Sequence, residues 1–221
     1  MMAPTEDQLS QFHAQWITLL TGLDADLLAS DHVWKDLLRR YSETQRYYHN
    51  LSHIVAMLKH AQSYEFKLEN LPVVQLAIWF HDAIYDARAK DNEFQSAALA
   101  QFSLNQLKGP PAITQQVMLC ILATAKHELP KDVSLCHDLP AFLDMDLAIL
   151  GAAPEIYKKY SAAIRAEYAH VLAPLYRIGR AKMLKTFLQR DRLFFTDDFY
   201  QRYEQIARTN IKDEIRQLEF F

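Results

Sequence analysis

Apolar side chains recur along most of this chain at the three- and four-residue spacing of an amphipathic helix. The first such stretch runs from Thr5 to Leu20, with Phe12, Trp16, Ile17, Leu19 and Leu20 facing inward and Thr5 as its cap. A second covers about Ala25 to Tyr41, with Leu27, Leu28, Val33, Trp34, Leu37 and Leu38 as its apolar set. A polar S-E-T-Q-R follows, and then Y-Y-H-N-L-S-H-I enters a helix capped by Asn50 or Ser52 that continues to about Phe66. Further helices are expected over Asn92–Leu107, Ile113–His127, Pro154–Leu172, Pro174–Arg190 and Asp197–Leu218. Pro174 either separates two helices or kinks one. The polar, proline-bracketed segment Glu128–Pro140 reads as a loop, and the short apolar piece A-F-L-D-M-D-L-A-I-L-G comes after it.

One stretch departs from the amphipathic pattern. From Val73 to Asp86 the chain reads V-V-Q-L-A-I-W-F-H-D-A-I-Y-D, with Pro72 suited to its first turn. Apolar residues run nearly all round it, so as a helix it belongs inside the protein. His81 and Asp82 stand side by side in that setting. A buried carboxylate costs several kcal/mol unless it is paired, hydrogen-bonded or bound to a metal. Asp82 therefore needs a partner.

Composition narrows the class. At 221 residues the chain can bury one substantial core, and a single domain over 1–221 is expected. Only four glycines occur, none in a phosphate-cradling loop, which removes P-loop and dinucleotide-binding readings and favours an all-α fold. The net charge is −3, with both signs mixed along the chain, so neither a nucleic-acid polymer nor an anionic membrane is expected as partner. Cys120 and Cys136 are the only cysteines and form no C-x-x-C, against a disulfide scaffold or a cysteine zinc site. The N-terminal M-M-A-P-T-E-D-Q has no apolar signal region and no run is long enough to span a bilayer, so the cytoplasm is the expected location. A homo-oligomer stays open.

The partner for Asp82 is best sought among the other histidines and carboxylates. His49 and His53 are four residues apart and would share one helix face. Asp144 and Asp146 bracket Met145 where an apolar strip would be expected. Imidazole nitrogens with carboxylate oxygens suit a divalent ion such as Mn²⁺, Mg²⁺, Co²⁺, Ni²⁺ or Zn²⁺. Such an ion can lower the pKa of a water it holds and polarise a phosphoryl oxygen.

The order His53, His81-Asp82, Asp146 resembles the H…HD…D signature of the HD superfamily of metal-dependent phosphohydrolases. Y-H-N-L-S-H is similar to the Y-H-N-x-x-H motif of class I cyclic-nucleotide phosphodiesterases, although A-I-Y-D after His81-Asp82 does not follow their pattern. R-x-Y-H-N-x-x-H, F-H-D-A-I-Y-D, D-N-E-x-x-S-A, A-T-x-x-H, F-L-D-x-D-L-x-I-L-G and A-R-x-N-x-x-x-E-I together look like one group of predicted HD phosphohydrolases. The likeness covers about Arg46 to Ile215 and implies an HD-domain-like bundle of about ten helices. It implies His53, His81, Asp82 and Asp146 as metal ligands, with Asp146 favoured over Asp144. His49 would protonate the leaving oxygen, and the substrate would be a nucleotide or related small phosphorylated metabolite. Around this set, Tyr85, Asp86 and Glu93 are candidate supports for the ligands, Arg46 and Lys126 candidates for phosphate charge, and His127 for a second metal or the substrate. Two rivals use the same residues: a nucleotide-binding regulatory module without turnover, and a di-iron oxygenase with Glu93 and His127 on the second metal.

Overall fold

The structure, a computed structural model, describes residues 5–132 and 134–220. The opening M-M-A-P of the N-terminal reading and position 133 of the expected loop lie outside them. Among the described residues the protein is all-helical, with ten α-helices and no strand. None of those helices is long and apolar enough to cross a membrane. The chain gathers into two compact units, one ending at Phe142 and the other beginning at Leu143.

The first unit contains α1 (Glu6–Thr21), α2 (Leu27–Tyr41), α3 (Leu51–Ser63), α4 (Leu71–Phe80), α5 (Asn92–Gln106) and α6 (Pro111–Ala123). Local chemistry sets several of the starts. Thr5 and Gln8 form a reciprocal capping box on α1. Asp26 accepts from the Leu28 amide at the head of α2, and Asn50 from the Ser52 amide at the head of α3, so Asn50 is the cap and Ser52 lies inside the helix. Leu27 and Leu28 sit in the first turn of α2 and are exposed, whereas Val33, Trp34 and Leu37 are buried. The apolar face starts one turn later than its spacing suggests.

Helix α4 is the middle of this unit and packs against α3, α5 and α6. Every residue from Val73 to Phe80 except Gln75 is buried. Trp34 and Trp79 meet edge to face at 5.0 Å, with Trp16 packed beside both. The start of α4 is held twice: Asn70 accepts from the Val73 amide, and the buried carboxylate of Asp138 accepts from the amides of Glu69 (2.9 Å) and Asn70 (2.7 Å).

The helix ends at Phe80, six residues before the apolar stretch does. Side chains take the backbone groups that a continued helix would have used. Arg46 donates to the carbonyls of Asp82 (2.6 Å) and Ala83 (2.9 Å). Ser96 bonds both the amide and the carbonyl of Ile84, and Asn92 does the same for Asp86. Tertiary hydrogen bonds replace the helical ladder here, because the chain must turn to bring residues 81–86 over the start of α5.

The second unit contains α8 (Pro154–Glu167), α9 (Ala173–Leu188) and α10 (Asp197–Phe220), after a short 3-10 turn at Ala148–Gly151. Helix α7 (Leu139–Leu147) spans the division between the units. Pro174 begins a separate helix; Arg165 takes the carbonyls of Tyr168 and Val171 in the break before it. Glu214 on α10 receives a two-pronged bond from Arg180 and a 2.5 Å bond from the Tyr157 hydroxyl, all three buried. Asn210 donates to the carbonyls of Leu150 and Ala152, and Arg208 to those of Leu188, Arg190 and Asp191. Gly151 is required where it stands, since a Cβ there would lie 2.5 Å from Tyr203 Cβ.

Candidate metal centre

Three side chains of the first unit converge. His53 comes from the first turn of α3, His81 from the residue that closes α4, and Asp82 from the turn beyond it. His53 Nε2 and His81 Nε2 are 3.2 Å apart. Asp82 Oδ2 lies 3.1 Å from His81 Nε2 and 3.8 Å from His53 Nε2. Both imidazoles are buried, and the Asp82 carboxylate keeps 17% exposure. Among the described residues this is the one cluster of three such groups close enough to hold a metal ion together.

The tautomer of His81 follows from its other nitrogen. Nδ1 is 2.9 Å from the Ile78 carbonyl, which can only accept, so Nδ1 carries a hydrogen, and in the neutral ring Nε2 is the nitrogen able to bind a cation. Nε2 points at a second imidazole nitrogen and a carboxylate oxygen. A single proton can join two of these donors, while three converging donors fit a cation. Ligands about 2.1 Å from an ion stand about 3.0 Å apart in octahedral and about 3.4 Å apart in tetrahedral geometry. The observed edges of 3.1, 3.2 and 3.8 Å run from just above the octahedral value to somewhat above the tetrahedral one. The three residues could hold a metal ion.

Electrostatics agree with the donor set. Burial alone would raise the Asp82 carboxyl, but the imidazoles of His81, His49 and His53 hold it far below the usual carboxylate range. The histidines thus favour the carboxylate form, and that is the form that binds a metal.

The ligand rings are positioned by their neighbours. Tyr48 packs its ring 4.8 Å from that of His53, and Phe142 meets His81 edge to face at 6.0 Å. His49 is half-buried and stacks on Tyr85 at 4.0 Å between ring centres. Arg46 is buried, and its guanidinium donates to His49 O, Asp82 O, Ala83 O and Glu43 Oε2. Its role here is to tie the Y-H-N loop to the Asp82 turn; four of its five donors are used within the protein.

The other sequence candidates take varied places. Asp86 is exposed and accepts from the Arg88 amide, while the Ile78 carbonyl holds the ligand imidazole of His81. Glu93 is half-buried in the first turn of α5. Lys126 is exposed and lines a separate groove, and His127 stands after α6 with a positive φ of 48°. Asp146 is half-buried on α7, in the second unit. Asp144 is fully buried and spends its carboxylate on the amides of Phe195 and Thr196 and on the Thr196 hydroxyl, at 2.7–2.8 Å. Burial pushes it up to about 6, against the pull of those three bonds.

Sequence reasoning singled out Glu93 of D-N-E-x-x-S-A, whereas Asn92 and Ser96 of that motif are the residues that hold the 84–86 backbone. Tyr41, which donates to the Trp79 carbonyl, and Asp138 were missed altogether. No family model, no curated protein and no solved structure matches the chain.

Proposed function

We propose that this protein is a metal-dependent phosphohydrolase that cleaves a phosphate ester or anhydride of a nucleotide or a related small phosphorylated metabolite. The convergence of His53 Nε2, His81 Nε2 and Asp82 Oδ2 carries the reading. The likeness of its motifs to the HD superfamily supplies the reaction class. A divalent ion bound there would supply Lewis acidity, activating water and drawing charge from the phosphoryl oxygens.

The chain's own residues have separate tasks in this reading. His53, His81 and Asp82 would hold the ion, and the Ile78 carbonyl fixes Nδ1 of His81 so that Nε2 faces the cluster. His49, half-buried and stacked on Tyr85, would give a proton to the leaving oxygen. Arg46 keeps the carbonyls of His49 and Asp82 on one guanidinium, so the proton donor and a ligand share one support. The motif likeness adds Asp146 as the last ligand, and its rival Asp144 is already occupied by Phe195 and Thr196. We place the activity in the cytoplasm, on the two-cysteine composition.

The test is turnover of a phosphate-ester and nucleotide panel with Mn²⁺, Mg²⁺, Co²⁺, Ni²⁺ and Zn²⁺ in turn. Wild type is compared with Asp82→Ala and Asp146→Ala, each checked for helical content. Metal-dependent hydrolysis in wild type, lost in Asp82→Ala, is the expected result. Hydrolysis that persists undiminished in folded Asp82→Ala would sink the assignment.

A further inference from the structure

The two cysteines, sixteen positions apart in sequence, meet in space. Cys120 lies on α6 and is fully buried; Cys136 lies in the irregular segment before α7 and is 5% exposed. Their sulfurs are 3.4 Å apart and both are free thiols. Cys136 lines a groove of about 480 Å³ beside Leu122, Lys126, Leu129 and Leu135, while Cys120 does not reach it. One sulfur is therefore approachable by a small molecule and the other waits behind it.

We propose that Cys120 and Cys136 are a reversible dithiol–disulfide couple, oxidised by a low-molecular-weight disulfide that enters this groove. The Cys136 thiolate attacks one sulfur of the small disulfide, forming a mixed disulfide and releasing one small thiolate. Cys120 gives its proton to that thiolate, attacks the Cys136 sulfur and expels the second small thiolate, which is protonated from water. Two protein thiols are oxidised and one small disulfide is reduced to two small thiols. The hydrogen bond between the two thiols holds Cys136 below the ordinary thiol range, and that bond with burial pushes Cys120 well above it. The pair thus divides into attacking and resolving partners.

A disulfide sulfur pair is about 2.05 Å apart, so the sulfurs must close by about 1.4 Å from 3.4 Å. Cys136 can supply that movement, because the residues on either side of it, 134–138, lie outside any helix, whereas Cys120 is fixed in α6. The bond would staple α6 to the segment whose Asp138 holds the amides of Glu69 and Asn70 at the head of α4. Oxidation is therefore expected to raise the thermal stability of the chain by several degrees.

The experiment treats the full native chain with 2-hydroxyethyl disulfide and reads intact mass, thiols titrated after unfolding, and a peptide map. Wild type should lose two hydrogens and both titratable thiols, show a Cys120–Cys136 link, melt higher, and return to the dithiol with reductant. Cys120→Ala should stop at the mixed disulfide on Cys136, seen as added mass. Cys136→Ser should leave Cys120 unmodified while native. Circular dichroism of both variants establishes that they fold, and wild type alone is decisive if one does not. Two thiols still titratable after treatment, mixed disulfides retained on the wild type, or a link between chains would each overturn the proposal. None of these readouts involves phosphate-ester turnover, so they stand or fall apart from the proposed activity.

Discussion

Arg46 Nη1 donates to the backbone carbonyl of Asp82 across 2.6 Å, joining residues thirty-six positions apart. The same nitrogen reaches His49 O at 3.2 Å, and Nη2 reaches Ala83 O at 2.9 Å. One guanidinium therefore ends α4, turns the chain so that His81 and Asp82 face His53, and anchors the loop carrying His49. Its planar fork suits this task, since it holds donors on three nitrogens in one fixed geometry, reaching Glu43, His49, Asp82 and Ala83 together.

Arg46→Ala should leave the Asp82 and Ala83 carbonyls without their donor and cost about 2–4 kcal/mol of stability. Arg46→Lys should recover less than half of that. Urea unfolding measures both, and a parallel titration with Mn²⁺ or Zn²⁺ should show weaker binding in each. An Arg46→Ala protein as stable as wild type would refute the clamp.

Ion binding at the triad should stabilise the fold by mass action. An ion at about one hundred times its Kd adds about 2.7 kcal/mol. For a 221-residue chain that corresponds to a Tm increase of roughly 5–10 °C. Chelator should reverse the increase, and Asp82→Asn should abolish it. Differential scanning calorimetry with and without each ion reads the effect; an unchanged Tm across all five ions argues against the site.

Asp144→Ala should behave as a structural lesion. It strands the amides of Phe195 and Thr196 and should cost about 2–4 kcal/mol. The ion affinity of the His53–His81–Asp82 triad should stay within about twofold of wild type, a change worth about 0.4 kcal/mol. Isothermal titration on the folded variant separates the two effects.

The Arg180–Glu214 pair predicts an acid dependence. Burial alone would raise Glu214, but Arg180 holds it below its ordinary value. A carboxyl with a depressed folded pKa adds stability above its unfolded pKa and loses it as the pH falls through the folded one. Glu214→Gln leaves Arg180 buried without its counter-charge and should cost about 3–5 kcal/mol at neutral pH. The gap to wild type should narrow below about pH 4, where the native carboxylate also takes up its proton. Melting curves from neutral to acid pH test this, and a gap that stays constant contradicts it.

Gly151→Ala should be destabilising by about 1–3 kcal/mol, because the added Cβ meets both the Cβ and the backbone oxygen of Tyr203. Gly179→Ala is the contrasting control. Nothing lies within 4 Å of a Cβ there, so it should be neutral or stabilise α9 by up to about 1 kcal/mol.

The motifs were legible in sequence, but many of their residues do structural work. In D-N-E-x-x-S-A, Asn92 and Ser96 bind the backbone of Asp86 and Ile84. In A-R-x-N-x-x-x-E-I, Arg208, Asn210 and Glu214 bind carbonyls or a buried arginine within the second unit. Spacing alone does not separate a polar residue that serves the backbone from one that serves a ligand. Both are costly to bury and both need a partner, so they leave the same mark on the sequence.

By itself the sequence determined the helical class, the places of most helices and the demand that Asp82 be paired. Those follow from local periodicity, caps and the cost of a charge in an apolar run, all of which act over a few residues. Only the tertiary structure decided that α4 stops at Phe80, that Asp144 is taken by Phe195 and Thr196, and that Cys120 meets Cys136. It also decided that His53 Nε2 points at His81 Nε2, with the Ile78 carbonyl choosing the tautomer. Each of these depends on which donor from a distant segment reaches a backbone group or side chain first, and chain closure alone brings those partners within range.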